Sequence, residues 1–382
     1  MKKIIKEFFS YTLHKFSQIE VQRIKLRSGW VFQLASSICI YKRTIVNPSK
    51  HQELTNLLLE GPIKPEGIPS VCKVFTQAPL ASNNYLYKLD KAVLVGNYPL
   101  IYKDGLYLRE SVFFSEEHDR LGSQVRSNFV SRFKHNLSLS PRPKDKKSIS
   151  NCMLLFSKWN HYGHWVPEHL LKLKILFDAL GEDALDVCLI IENNPPAWKI
   201  KILNALGWDS KKIVEWDSCR EYVEDLYCPS YPSPNYDAFL WLKKRLAQGL
   251  DLDVKKNARR KLYLSRNKFG SRGVKNESEL ITFLSGKGFE VLYPEEMTLE
   301  HQILAFLEAE VVVGPHGSAL TNLIFSNDIK VIEFFGEFVP LGFYCYSKVM
   351  GHNYSPLFCE SGCNKNDYLI VDIGKLNRLL SS

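Results

Sequence analysis

The sequence predicts an α/β protein made of two Rossmann-like domains facing a cleft. Three observations carry that expectation. The chain has 382 residues, more than one core ordinarily organises, so two domains are the natural division. Two successive β/α series run through its C-terminal part, each alternating short apolar strands with helices. An apolar strand at 310–313 runs into Gly314, Pro315, His316 and Gly317, a strand–turn–helix junction of the kind at which open parallel sheets bind ligands.

The elements follow in chain order. Residues 1–16 read as an amphipathic basic helix, with Ile4, Ile5, Phe8, Phe9, Leu13 and Phe16 on one face and Lys2, Lys3, Lys6 and Lys15 beside it. Its apolar runs are short against the roughly 7–15 residues of a signal peptide. It reads either as a helix docked on its own domain or as a weak attachment to anionic membrane. No stretch approaches the roughly 18 apolar residues of a membrane span. Residues 20–135 read as short strands and turns, including 93–97 and 106–114. Residues 138–148 are a basic, proline-containing loop. Strands at 152–156, 187–191 and 212–216 then alternate with helices at 167–180 and 196–206, the second opened by Pro196 and ended by Gly207. A helix at 236–249 is read as the bridge between domains. The second series has strands at 261–265, 289–292, 310–313 and 330–335. Its helices lie at 276–285 and 298–307, the latter capped by Thr298. The last 40 residues mix strand, glycine turns and a short helix at 374–380. The expected division is 1–248 for an N-terminal domain, 249–345 for a ligand-binding domain, and 346–382 for a segment packing back on the first domain.

Composition narrows the function. The net charge is +9, without a block of five or six consecutive basic residues or a nucleic-acid motif. That favours small phosphorylated ligands or a membrane surface over nucleic acid. The nine cysteines form no CxxC pair, so reduced thiols are expected and no zinc ladder is. The sequence contains no GxxxxGK[ST], GxSxG or GxGxxG.

Two segments could carry chemistry. At the first, Gly317 lets backbone approach an anion, the following helix N-terminus favours negative charge, and His316, Ser318, Thr321 and Asn322 add donors. The competing reading is an ordinary junction with a caged histidine. Arg266, after Ser265 at a strand end, and Arg272 lie in a loop opening on the same side as Gly314. Guanidinium forks suit diphosphate oxygens. Glu333, a charge inside an apolar strand, either accepts from ribose hydroxyls or ends a strand at the surface. At the second segment, His164 and Glu168 are spaced i,i+4, and either could deprotonate a hydroxyl. The competing reading is a core histidine with a surface glutamate.

Tyr263, Leu264, Ser265, Arg266, Arg272, Asn276, Glu277, Gly288, Phe289, Glu295, Gln302, the run from Gly314 to Asn322, Phe325 and Glu333 together resemble glycosyltransferase family 61. That family has a Ser-Arg strand end, an Asn-Glu helix start, a Gln before an acidic-to-apolar strand, and a His-Gly-Ala/Ser-x-Leu-Thr-Asn turn. Tyr162, Gly163, His164, Trp165 and Glu168 resemble its upstream segment. The resemblance covers roughly 150–340; Ser318 replaces the more frequent Ala, and Pro167 interrupts the usual apolar run before Glu168.

The resemblance implies a GT-B fold and an inverting transferase that needs no metal and no cofactor. Its substrates would be a nucleotide-sugar donor, UDP-linked, and a glycan or lipid-linked glycan acceptor. Arg266, Arg272, His316, Gly317 and Ser318 would hold the diphosphate, Glu333 the ribose, and Glu168 or His164 would be the base. The Asp251, Leu252, Asp253 run matches the DxD pattern of metal-dependent transferases but lies away from this site. A cytoplasmic bacterial enzyme at the inner membrane face, building capsule, lipopolysaccharide or another surface glycan, fits the lack of a leader. The rivals are a non-catalytic nucleotide- or glycan-binding module and a Rossmann-like epimerase or dehydrogenase.

Overall fold

Short runs of Leu, Ile and Val pair into two main sheets in a computed structural model. It describes residues 86–107 and 149–381, apart from 90, 104–105, 218–219, 230, 233, 256–257 and 363–366. The helix expected at 1–16 and the loop at 138–148 lie outside the described residues, as does most of the strand expected at 106–114.

The first sheet comprises β1 (Leu86–Leu89), β2 (Ala92–Val95), β3 (Leu100–Lys103), β4 (Leu106–Tyr107), β5 (Ile149–Leu154), β6 (Cys188–Glu192), β7 (Ile213–Trp216) and β8 (Arg220–Pro229). Its order is β4-β3-β2-β8-β5-β6-β7, with β1 also paired to β8. β5 to β8 are mutually parallel where they pair, whereas β1 and β2 lie antiparallel along one edge of β8. The ten-residue β8 is central, yet the sequence reading misses it. Asp225 takes a left-handed backbone (φ 52°), and Glu221 is buried among the apolar residues Val223, Leu226 and Cys228. The period-2 alternation that announces a strand is therefore broken.

Helix α1 (Lys172–Leu180), α2 (Ala197–Ala205) and α3 (Tyr236–Gly249) fall within the helical spans expected from the sequence. Asn235 caps α3, its side chain accepting from the Ala238 N–H at 2.8 Å. Phe239 and Leu242 of α3 join a buried cluster that takes in Met153, Trp165 and Leu189 from the first series and Leu262, Leu320 and Val331 from the second. The helix read as a bridge is thus part of a core shared by both halves.

The second sheet is all parallel: β9 (Arg260–Leu264), β10 (Phe289–Leu292), β11 (Ala309–Pro315), β12 (Lys330–Phe335) and β13 (Asn353–Phe358), in the order β10-β9-β11-β12-β13. The strand order reverses between β9 and β11. In open α/β sheets that reversal opens a crevice at the carboxyl ends of the strands. Helix α4 (Glu277–Ser285) follows β9 and α5 (Leu299–Leu307) follows β10. Thr298 caps α5 as expected. β13 goes unread because it contains Pro356, which is tolerated on an edge strand, its place here. Helix α6 (Gly342–Val349) also goes unread; it packs through Tyr346 on Phe239.

Of the segment expected to pack back on the first domain, Tyr346 reaches Phe239 of α3, while the C-terminal helix α7 (Ile373–Ser381) lies on the second series. Leu376 is buried with Tyr263, Leu280, Val313 and Ile332 of the second series. Asn276 fastens the preceding residues, exchanging two hydrogen bonds with the Val371 backbone at 2.9 and 3.0 Å.

Candidate active site

The loop leaving β9 is pinned before its arginines emerge. Tyr263 and Ser265 both donate to Glu277 Oε1, at 2.8 and 2.6 Å. Asn267 accepts from the Val274 N–H at 2.7 Å and donates to the Val274 carbonyl at 3.0 Å. Ser265 is therefore a buried brace and does not present its hydroxyl to a ligand, contrary to expectation. Between these pins stand Arg266 and Arg272. Burial lowers the basicity of both guanidiniums; each Arg266 charge feels Arg272 as a like neighbour, while Glu333 partly compensates Arg272. Arg272 adopts a left-handed backbone (φ 54°), and its buried Nε has no hydrogen-bond partner. Two adjacent, partly desolvated cations, the second on left-handed backbone, favour an anion beside them.

β11 brings the opposing turn. A Cβ on Gly314 would lie 2.9 Å from the Leu264 carbonyl oxygen of β9. Gly317 has extended backbone (φ −180°), so its need is spatial. A Cβ there would fall 1.8 Å from Arg266 Nη1; the guanidinium lies directly against the turn. Ser318 begins the expected helix, which is a 3-10 helix, Ser318–Phe325. His316 Nδ1 lies 2.5 Å from Glu333 Oε1, and Tyr354 donates to Glu333 Oε2 at 2.5 Å. Glu333 is fully buried. Both its oxygens are engaged, so it cannot meet a ribose; it holds the His316 ring, whose free nitrogen is Nε2. Phe335 and Phe343 pack on that ring at 6.0 and 5.0 Å.

Thr321 and Asn322 are also corrected. Both are fully buried and face the interior. Asn322 accepts from the Tyr162 hydroxyl and donates to Gln302 Oε1 at 3.4 Å. Gln302 in turn donates to the Pro294 carbonyl at 2.8 Å.

On the other side, the helical stretch expected from 167 begins at Tyr162. It opens with an α-turn (Tyr162–His164), continues as a π-helix (Trp165–Leu170) and then becomes α1. Pro167 lies inside the π segment. Proline has no N–H and clashes with the carbonyl four residues back, and the wider π turn absorbs that misfit. The result sets His164 Nδ1 2.5 Å from Glu168 Oε1. Glu168 is buried, while the His164 side chain is 27% exposed.

Beneath this pair, Trp165 Nε1 donates to the Leu155 carbonyl at 3.0 Å, and His169 Nε2 meets Ser157 Oγ at 3.0 Å. Fully buried Lys199 donates to Asn160 O and Oδ1 at 2.8 and 2.7 Å and pairs with Glu192. It anchors the residues that lead into the Tyr162 turn. Sequence reasoning missed Lys199, because a lysine on a helix reads as solvated.

The two turns meet. Tyr162 bonds Asn322, and a Cβ on Gly163 would lie 2.9 Å from Ser318 Oγ. One His–carboxylate pair thus stands on each side of the junction: His164 with Glu168, and His316 with Glu333. Asp251 and Asp253 are exposed beyond α3, and among the described residues no three His, Cys, Asp or Glu side chains gather as metal ligands. No helix among the described residues is long and apolar enough to cross a membrane.

A family model described as Glycosyltransferase 61 matches residues 162–332. That span runs from the Tyr162 turn to Ile332 in β12 and includes both His–carboxylate turns except Glu333 itself. A comparison with curated proteins finds no match.

Proposed function

Since residues 162–332 place this chain in glycosyltransferase family 61 and make it a glycosyltransferase, we propose that it is an inverting enzyme of GT-B arrangement. It moves a sugar from a UDP-linked donor to a glycan or lipid-linked glycan acceptor without a metal. The observation that carries this reading is the meeting of Arg266, Arg272, His316 and Gly317 where the strand order reverses. That crevice combines two guanidiniums, an imidazole and a helix start, the groups that neutralise a leaving diphosphate.

His164 is the better base of the pair, because Glu168 is buried and bonded to Nδ1, whereas the His164 side chain is partly exposed and its Nε2 lies outside that bond. In this role Glu168 orients the ring. His164 Nε2 takes the acceptor hydroxyl proton. The acceptor oxygen forms its bond to the anomeric carbon from the face opposite the nucleotide. The bond from that carbon to the diphosphate oxygen breaks, and its electron pair leaves with the diphosphate. Arg266 and Arg272 stabilise the growing charge beside the His316 ring, which Glu333 holds in place. Losing one such contact costs on the order of 10²-fold in rate.

The net charge of +9 suits an anionic membrane surface carrying a lipid-linked acceptor, as in assembly of capsule or lipopolysaccharide. The test is thermal melting against UDP, CMP, GDP, ADP and NAD. A selective rise with UDP is expected, because a ligand that binds only the folded state stabilises it by mass action. A rise with CMP or GDP alone would replace the donor. A rise with NAD alone would favour an oxidoreductase. No rise with any nucleotide would remove the donor site from Arg266 and His316.

A further inference from the structure

Beneath the His164 turn, Lys199 of α2 is fully buried with its charge. Its Nζ donates to Asn160 O and Oδ1 at 2.8 and 2.7 Å and to Glu192 Oε1. An ammonium group has three N–H bonds and no acceptor, so three acceptors match three donors. A neutral amine has two N–H bonds and a lone pair. With the same three oxygens around it, the lone pair would face one of them, and that contact would fail.

What Lys199 holds leads directly into the base. Asn160 precedes His161, whose carbonyl accepts from the His164 and Trp165 N–H groups at 2.9 and 2.8 Å. Lys199 Nζ also lies 5.1 Å from the Trp165 ring and 5.3 Å from the Trp198 ring. Trp198 packs edge-on to Tyr162 and Trp165, at 5.2 and 5.5 Å. The residues on both sides of His164 therefore rest on α2 beside this cation.

Resting on the reading of His164 as the base, we propose that Lys199 is a positioning residue for the transfer: as an ammonium it fixes the turn that aims His164, and loss of its proton releases that turn. Burial pulls the Lys199 ammonium down from the ordinary 10.5 to about 8, against the hydrogen bond and charge of Glu192. Glu192 faces it from β6, and the second oxygen of that carboxylate is buried without a hydrogen-bond partner. His169 faces it from the π segment, and burial keeps that ring neutral. From the loop come the two Asn160 oxygens, while the His161 ring packs on His164 at 4.6 Å. The sign is distinctive. A general base alone works better as the pH rises, whereas a turn held by an ammonium is lost on the alkaline side.

The test follows the His164 Cε1–H signal by NMR through the neutral and alkaline range in the full chain, in Lys199→Met and in Glu192→Gln, with turnover of a UDP-linked donor measured alongside. In the wild type the signal should show, besides the ring's own proton uptake, a step near pH 8, and kcat should fall above it. Lys199→Met should lose the step. Its kcat should be lower by about 10²-fold, as a small misplacement of a reacting group costs, with the donor KM within about twofold. Glu192→Gln should keep the step but move it lower by about one unit or more, because the charge that favours the ammonium is gone. A step that is absent from the wild type, persists in Lys199→Met or stays in place in Glu192→Gln overturns the proposal. Glu192→Gln keeps the test decisive if Lys199→Met does not fold. The histidine signal needs no nucleotide. The expected steps without turnover of any UDP-linked donor would therefore overturn the donor reading and leave the link from Lys199 to His164 standing.

Discussion

His164 and His316 each give Nδ1 to a buried glutamate, and in the proposed mechanism the two pairs divide the chemistry between acceptor and donor. In the proposed mechanism Glu168→Gln keeps the ring in place but favours the wrong tautomer. Turnover should fall by about 10²- to 10⁴-fold while UDP affinity, read by calorimetry, stays within twofold; lost UDP binding would move Glu168 to the donor side. Glu333→Leu leaves the Tyr354 hydroxyl and His316 without their partner, and removing one member of such a buried network costs about 3–5 kcal/mol. Chemical denaturation of that variant measures the loss. His169 supplies a pH effect. Burial holds its ring neutral, well below the ordinary value of 6.5. The unfolded chain gains that proton below pH 6.5 and the folded chain does not, so stability falls as the pH drops, by about 1.4 kcal/mol per unit. His169→Gln should flatten the slope between pH 6.5 and 5; an unchanged slope would assign the acid sensitivity to other groups.

At the scale of elements, what matters is where a turn can pass close to another group. Gly317 lies against Arg266 and Gly163 against Ser318. Gly317→Ala should displace the guanidinium and weaken UDP at least tenfold in a calorimetric titration, with a melting temperature close to the wild type. Equal binding would mean that Arg266 does not touch the ligand. The strand-to-turn run at 310–317 and the arginine loop are readable from the chain, because a buried parallel strand followed by glycine has few other uses. The π-helix at Trp165–Leu170 is not. Pro167 announces a misfit in the helix, but whether the chain breaks, kinks or widens depends on what packs around it. β8 escapes for a related reason: Asp225 breaks its alternation, and pairing with strands on both edges supplies what the pattern lacks.

The whole molecule is joined through contacts that cross between the two β/α series. Tyr162 reaches Asn322, Lys243 Nζ donates to Asn327 Oδ1 at 2.6 Å, and Lys201 pairs with Glu300. Tyr162→Phe leaves the buried Asn322 oxygen without its donor. Urea unfolding should show a loss of about 1–3 kcal/mol. Turnover should fall as well, because the turns bearing His164 and His316 lose their fixed spacing. A variant of full activity would show that the junction serves stability alone.

Hydrophobic periodicity and turn chemistry are properties of neighbours in the chain. The α/β class, the second series of strands and helices, and the identity of the two histidine turns were therefore determined by the sequence alone. Which side chains of those turns face a ligand was not. Ser265, Thr321, Asn322 and Glu333 look like donors and acceptors for a substrate, yet each is buried, and Ser265, Asn322 and Glu333 bond to other parts of the protein. Their partners Glu277, Tyr162 and Tyr354 lie 12, 160 and 21 residues away in the chain. A buried polar group must find a partner wherever folding brings one, so only the tertiary structure separates the residues that hold the site from those left to act in it.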